Sequence, residues 1–356
     1  MQKWGSILIA AILMVLPLTA CETESTSNQA ESSQETQETT SRLDTVKSRG
    51  KLICGVDGGI PGFSFVDQNG EYSGIDVDVC KAVAAALFDD PNAVEYRNLD
   101  STERFTAVSG GEVDMLSRNT TWTISRDTSV GLEFAPTTFY DGQGMMVRAD
   151  SGIENLEGFQ GKSICVEAGT TTELNLTDNL REINVEAETL TFQQADPAYA
   201  AYAEGRCDGM TSDKSQLLGR RSTLPNPEEH IILGVTMSKE PLGPVTINND
   251  SGWFDVVKWV TYALIEAEEL GITQANVDDL KANSEDPTIR RFLGVEGDLG
   301  KGLGLSNDFA YRVIKNVGNY SEVYSRSLGE ESQFKLPRGM NDLWTKGGLL
   351  YSPPFR

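Results

Sequence analysis

Lys51-Leu52-Ile53-Cys54-Gly55-Val56 is a short apolar run without helical period, and it reads as a buried strand. Downstream, Gly74-Ile75-Asp76-Val77-Asp78-Val79-Cys80 opens a stretch to Phe88 in which Val79, Val83 and Leu87 share one face. That is an amphipathic helix with acids near its start, where they suit the helix dipole. Arg104-Phe105-Thr106-Ala107-Val108 begins or lies in a second helix, and Gly110-Gly111 leads into an apolar run from Val113 to Leu116. Strand, helix and strand in this order demand a parallel sheet with crossovers.

The strand Val113–Leu116 runs into a loop dense with hydrogen-bond donors, Ser117-Arg118-Asn119-Thr120-Thr121-Trp122-Thr123, and then a turn carrying Ser125 and Arg126. Donors gathered at a strand end suit a small anion such as a carboxylate, and an arginine grips both its oxygens at once. Between Pro61 and Tyr72 lie a loop with Phe63 and Phe65 and a hairpin turning at Asn69-Gly70. Asp76 and Asp78 have the look of a paired-carboxylate site, but acids at a helix start ordinarily serve the dipole.

Composition excludes several functions. The formal net charge is −23, which disfavours nucleic acid, whose binding needs clustered positive charge. The single histidine, His230, lies near Pro225 and Pro227 and reads as a loop residue. Histidine-based catalysis and His-rich metal sites are therefore disfavoured, and no metal or cofactor is expected.

At the N-terminus, Lys3 precedes an apolar run from Ile7 to Leu16 and then Leu18-Thr19-Ala20-Cys21. A charge, a short apolar core and small residues make a secretory signal over residues 1–20. Small residues directly before Cys21 resemble a bacterial lipobox, which implies lipidation of that cysteine; a plain signal with an incidental cysteine is the alternative. Residues 21–41 are nearly devoid of apolar side chains and rich in Ser, Thr, Glu and Gln, a tether that cannot bury a core. The expected location is the periplasm or cell surface, held to a membrane by the lipid.

Beyond the first units, Lys162-Ser163-Ile164-Cys165-Val166 reads as a strand leading through Glu167-Ala168 to Gly169-Thr170-Thr171-Thr172-Glu173, a helix start. Such a terminus offers free N–H groups to an anion, although ordinary capping explains the same residues. Gly205-Arg206-Cys207-Asp208-Gly209-Met210-Thr211-Ser212-Asp213 reads as a strand ending in an acid, where ligands sit in open α/β sheets. Capping of the next helix explains Asp213 equally well.

Gly-x-Asp-x-Asp after the hairpin, Arg-Asn-Thr-Thr-Trp-Thr-x-Ser-Arg-Asp at residues 118–127, Tyr140-Asp141-Gly142-Gln143-Gly144 and the tail Leu343–Tyr351 resemble the periplasmic amino-acid-binding proteins of ABC importers. The likeness is greatest to the general L-amino-acid subfamily and runs from about Leu43 to Arg356. It implies an α/β, two-lobed periplasmic-binding-protein fold of type II, each lobe a mostly parallel sheet flanked by helices, with two hinge crossings. The implied layout is lobe one over residues 42–143, lobe two over 144–243, a return to lobe one over 244–285, and a C-terminal extension, 286–356, packing on the lobes. Cys54, Cys80, Cys165 and Cys207 permit three pairings. Cys54–Cys80 and Cys165–Cys207 each stay inside one lobe of this layout; four free thiols are the alternative.

The resemblance also implies a mechanism. Arg126 would hold the ligand carboxylate with Thr121 and the Asn119 backbone, Thr171 would donate from the second lobe, and Asp213 would take the ammonium. Phe63 or Phe65 would cover the ligand or lie in the core. Related single-substrate binders often carry an aromatic where this chain has Ile60, which leaves room for varied side chains. Arg104 and Arg118 would face an acidic or amide side chain, or form structural ion pairs. The implied partners are free L-amino acids, membrane permease subunits and a cytoplasmic ATPase, with the chain a monomer. Rival readings are a dehydratase-like enzyme of the same fold, with Asp213 or Glu167 as acid or base, and a ligand sensor for a receptor.

Overall fold

The computed structural model describes residues 41–356; the expected signal, Cys21 and nearly all of the tether lie outside them. Among the described residues, no helix is long and apolar enough to cross a membrane.

Each lobe is built on a five-stranded sheet of the same plan. In the first, Leu52–Val56 pairs in parallel with Val94–Asn98 on one side and Met115–Leu116 on the other; Val245–Ile247 and Leu132–Phe134 complete the order. In the second, Ser163–Glu167 pairs in parallel with Glu188–Phe192 and Gly209–Asp213, and Gln143–Arg148 and His230–Ile232 follow. Each sheet has one reversed strand, Val245–Ile247 in the first and Gln143–Arg148 in the second. Those are the strands that enter from the other lobe, so they arrive from the hinge side and run against their neighbours. The hinge itself is a two-stranded antiparallel ribbon, Phe139–Asp141 paired with Glu240–Leu242. The chain therefore adopts the two-lobed type II architecture with two crossings.

The expected helices form for the stated reasons. Ile75–Phe88 buries nearly its whole length, with Ile75, Val79, Cys80 and Val83 in the first lobe's core. Ser251–Glu269 starts where the Asp250 carboxylate accepts the Trp253 amide, and buries Trp253, Val257, Val260 and Leu264. His230 is no loop residue: it opens the edge strand His230–Ile232, buried, with Nδ1 2.9 Å from the Tyr202 hydroxyl. Pro227 opens the preceding 3₁₀ turn, Pro227–Glu229, and the strand takes over at His230, where that turn ends.

The C-terminal extension is more than a surface wrap. Helix Phe309–Val317 packs on Ile75–Phe88, and Phe309, Val313, Ile314, Tyr320, Leu328 and Phe355 belong to the first lobe's core cluster. Asp78 pairs with Arg326 of the extension at 2.7 Å, which gives this helix-start acid a structural partner. The extension also grips the hinge: the Asn341 side chain accepts from the Tyr140 N–H at 2.6 Å and donates to the Tyr140 carbonyl at 3.1 Å.

The disulfides are Cys54–Cys80, strand to helix in the first lobe, and Cys165–Cys207, strand to loop in the second, with Cα separations of 6.2 and 5.7 Å. Each closes a loop of 26 or 42 residues, a constraint on the unfolded chain of about 3–4 kcal/mol. Replacing both Cys165 and Cys207 by alanine is expected to lower the urea midpoint of the second lobe by an amount equivalent to about 3 kcal/mol; an unchanged midpoint would refute the constraint.

Candidate functional site

The cleft is assembled at the C-terminal ends of the central strands, where an open α/β sheet leaves its side chains free. Strand Met115–Leu116 delivers Ser117, Arg118, Asn119 and Thr121. The loop turns at Asn119, whose φ of +26° is one that asparagine tolerates better than most residues. Asp76 holds that turn: its carboxylate accepts the Asn119 N–H at 2.8 Å and the Ser117 hydroxyl at 3.3 Å. Asp76 is therefore a brace for the binding loop, a role that its helix-start position conceals.

From the second lobe, strand Ser163–Glu167 delivers Glu167 and the helix start at Thr170–Thr172, and strand Gly209–Asp213 delivers Ser212 and Asp213. Thr170 caps helix Thr171–Glu182 by accepting the Glu173 amide at 3.1 Å. Asp213 precedes helix Lys214–Arg221, but its carboxylate makes no cap bond. It turns into the cleft instead, where Oδ2 meets Asn119 Nδ2 of the other lobe at 3.3 Å and Oδ1 has no partner.

Of the predicted ligand residues, Arg104, Arg118, Asn119, Thr121, Thr171 and Asp213 line one small cleft pocket, and Arg126 stands beside Thr121, donating to its carbonyl at 2.9 Å. Phe63 is not brought there: it is 1% exposed and packs edge-on against Phe139 at 5.1 Å. Phe139 belongs to the hinge ribbon and lies far away in sequence, so the contact was invisible in the local pattern. Arg118 donates to Asp57 at 2.6 Å and lies 3.6 Å from Glu167 across the cleft, so it is partly an ion-pair residue. Among the described residues Arg104 has no ion pair and its Nε is buried without a partner, and Phe105 lies between it and Arg126, with centroid distances of 4.8 and 5.1 Å.

Glu240 was not predicted. A glutamate in Glu-Pro-Leu reads as a polar hinge residue, yet this one is 1% exposed. Its Oε2 accepts the hydroxyls of Thr121 at 2.5 Å and Thr171 at 2.9 Å, one from each lobe, while Oε1 takes Asn175 Nδ2 at 3.0 Å and the Ser238 hydroxyl. The two threonine hydroxyls thus point at a protein carboxylate in this arrangement. Asp57 was also missed; it joins the lobes by accepting from Arg118 and from Arg220 at 3.3 Å. Ser101 crosses too, its hydroxyl 2.6 Å from Glu167 Oε1 and 2.7 Å from the Ala168 carbonyl oxygen. Gly219 permits a close backbone approach, since a Cβ there would meet the Pro61 carbonyl oxygen at 2.5 Å.

Electrostatically the pocket holds buried charges of both signs, Asp213 against Arg104 and Arg126, that act on one another without pairing. Burial, with Asp141 and Glu240 nearby, drives the Asp213 pKa well above that of an ordinary aspartate. Burial, with Arg118 and Arg126 nearby, drives that of Arg104 well down. An opposite charge supplied to either group relieves both, and a zwitterion supplies one of each sign. Among the described residues, no group of three or more metal-ligating side chains comes together.

The sequence pattern of the bacterial extracellular solute-binding proteins, family 3, matches residues 52–293. The chain belongs to this family. It is 52% identical over 316 residues to the general L-amino acid-binding periplasmic protein of Rhizobium johnstonii, covering 88% of this chain and 92% of the relative. It is 49% identical over 316 residues to the glutamate/glutamine/aspartate/asparagine-binding protein of Rhodobacter capsulatus, covering 89% and 94%. The solved structure of an ABC transporter/periplasmic binding protein from Brucella ovis with glutathione bound is 49% identical, covers 89% of this chain and 99% of that one, and superposes with a TM-score of 0.87. A solute-binding protein of this extracellular family works outside the cytoplasm.

The Asp76 brace carries a pH signature. Its pKa is pushed up to about 6 from 3.8, chiefly by burial, against the lowering effect of its bonds from Asn119 and Ser117. Between those values the folded chain keeps a proton that the unfolded chain has lost. This stabilisation is complete below the unfolded value and is lost as pH rises through about 6. Asp76→Asn is expected to flatten the fall in stability between about pH 4 and 6 by up to about 1.4 kcal/mol per pH unit, measured by urea unfolding across that range; an unchanged slope would reject the assignment.

Proposed function

We propose that this protein is the extracytoplasmic substrate-binding component of an ABC importer. It closes its two lobes on free L-amino acids of broad specificity, with a lean toward acidic and amide side chains, and delivers them to a membrane permease. The observation that carries the reading is a set of buried charges that face one another without forming an ion pair among the described residues: Asp213, with one carboxylate oxygen unpartnered, on one lobe, and Arg104 and Arg126 on the other. An α-ammonium answers the first and an α-carboxylate the second. Arg126 grips the carboxylate; the Asn119 N–H, expected to help, is already given to Asp76, and Thr121 and Thr171 donate by turning their hydroxyls from Glu240. Glu240 keeps Asn175 and Ser238 when they do.

The relatives support the ligand class. One is named for general L-amino acids, another for glutamate, glutamine, aspartate and asparagine, and the Brucella ovis protein holds a compound with a free glutamate head. Arg118 and Glu167 present a donor and an acceptor side by side, which suits an amide as well as an acid. The relatives are binding proteins, and in this cleft Glu167 is engaged with Ser101 and Arg118. The N-terminal residues support export, lipidation at Cys21 and attachment to a membrane surface through a tether. The lobe boundaries proposed are 42–143 with 244–285 and the extension, against 144–243.

Because the donors and the acceptor lie on opposite lobes, only the closed form makes every contact, and the ligand shifts the population by its differential affinity for that form. Calorimetric titration of the refolded, ligand-stripped protein is expected to show binding of several amino acids at about micromolar Kd or tighter. Arg126→Ala and Asp213→Ala should each weaken it by about 100-fold or more, as loss of a charge partner in a buried pair costs several kcal/mol. Binding of lysine or arginine alone would refute the acidic and amide lean, and no binding of any amino acid would refute the reading. Gly219→Ala should weaken every ligand by about tenfold, since overpacking of about 1–3 kcal/mol falls on the closed form alone; undiminished affinity would show that Gly219 and Pro61 do not meet in it.

A further inference from the structure

The small pocket at Asp213 is not the end of the cleft. On the far side of Arg118 and Glu167 lies a second chamber of about 400 Å³, with Asp57, Asn98, Glu103, Gln194 and Arg220 in its walls. Arg118 and Glu167 line both spaces and form the partition between them. That partition is a contact between lobes, and at 3.6 Å it is longer than a hydrogen bond, so it parts when the lobes do.

The chamber is built rather than left over. Arg220 comes from the second lobe and reaches over the first, its Nη2 only 2.8 Å from where a Cβ on Gly59 would lie. It is 9% exposed, shares Asp57 with Arg118, pairs through Nη1 with the exposed Asp196 of the chamber rim, and keeps a buried Nε with no partner among the described residues. The inner pocket thus has an unspent arginine donor at Arg104 and the outer chamber has another at Arg220. Arg118 and Glu167 lie between them.

We infer that the ligand class extends to γ-glutamyl peptides, with the glutamyl head in the inner pocket and the peptide extension in the outer chamber. This rests on the amino-acid reading of the inner pocket. The γ-amide passes between Arg118 and Glu167, where its carbonyl accepts from the guanidinium and its N–H donates to the carboxylate. The direct ion pair is thereby replaced by a bridge with donors and acceptors matched. A free γ-carboxylate satisfies Arg118 but faces Glu167, a like charge. Each residue beyond the amide adds about 3.5 Å of chain, which carries a terminal carboxylate out of the inner pocket toward Arg220. An α-linked peptide cannot bind this way, because its amide consumes the α-carboxylate that Arg126 would hold.

The test is calorimetric titration of the refolded, ligand-stripped protein with L-glutamine, γ-L-glutamylglycine and its isomer α-L-glutamylglycine. The γ-linked dipeptide is expected within about tenfold of glutamine and the α-linked one at least about 100-fold weaker. Gln194→Trp, an exposed position on the chamber rim, should fill the chamber and weaken the γ-dipeptide by at least about tenfold while glutamine stays within about threefold. Arg220→Gln should weaken the γ-dipeptide more than its C-terminal amide. If glutamine binds and the γ-dipeptide binds no better than the α-isomer, the inference falls and the amino-acid reading stands. If the γ-dipeptide binds but Gln194→Trp does not weaken it, the outer chamber is not its site and the inference also falls. If no free amino acid binds, the underlying reading falls and takes the inference with it.

Discussion

A charge taken out of water without a counter-charge is costly, and the cleft of this protein holds such charges on both of its walls. Asp213 has one carboxylate oxygen with no partner among the described residues, and burial with Asp141 and Glu240 outweighs the opposing charge of Arg104 and Arg126. Arg104 forms no ion pair among the described residues, Glu167 and Asp213 acting on it only from beyond contact, and Arg126 spends a donor on a backbone carbonyl. Desolvation acts on all of them, which is why the acid is pushed toward its neutral form while the arginines are held as cations at a cost. The rest of the architecture keeps these groups apart on separate lobes and lets them approach. The sheets put them at strand ends, the reversed strands tie the lobes together, and the ribbon at Phe139–Asp141 and Glu240–Leu242 sets the axis on which they move.

The hinge is not a bare pair of strands. Asn341 occupies both backbone groups of Tyr140, and the Tyr320 hydroxyl donates to the Thr138 carbonyl, so the extension fixes one hinge strand to the first lobe. The other hinge strand carries Glu240, whose carboxylate reads both lobes through Thr121 and Thr171. One strand is anchored and the other is sensitive to closure. This division explains why the residues after 285 enter the first lobe's core and not the second's: Phe309, Val313 and Ile314 anchor the extension on helix Ile75–Phe88, and the remainder reaches the ribbon from there.

Much of this was legible in the residues. The two strand–helix–strand units, the donor-rich loop with Arg126, the helix start at Thr171 and the terminal acid Asp213 are local patterns, and each kept its local character. The structure adds the fact that they converge. What local pattern could not reveal depends on partners far off in sequence. Phe63 is core because Phe139 packs on it. Glu240 matters because two threonines, from 119 and 69 positions away, donate to one of its oxygens. Asp76 looked like a dipole acid because its work is done on the Asn119 amide, across a crossover. Asp57 and Arg220 carry no motif at all; they meet only when the lobes face one another.

The closed arrangement has attractions of its own. Arg220 with Asp57, Ser101 with Glu167, and the threonine pair with Glu240 all cross between lobes or tie them to the hinge. If these were the whole account, the clamp would close without cargo and stay closed. The unpartnered Asp213 and Arg104 oppose that, because closure buries them most deeply when nothing neutralises them. The two sets of contacts oppose one another, and a ligand shifts the outcome by whatever it adds to the closed form alone. In the proposed function, an α-ammonium and an α-carboxylate add their contacts at the very groups that resist closure, so recognition of the part common to all amino acids would drive the lobes together. Side chains then need only be accommodated, and a mixed donor and acceptor partition beside a roomy polar chamber accommodates many.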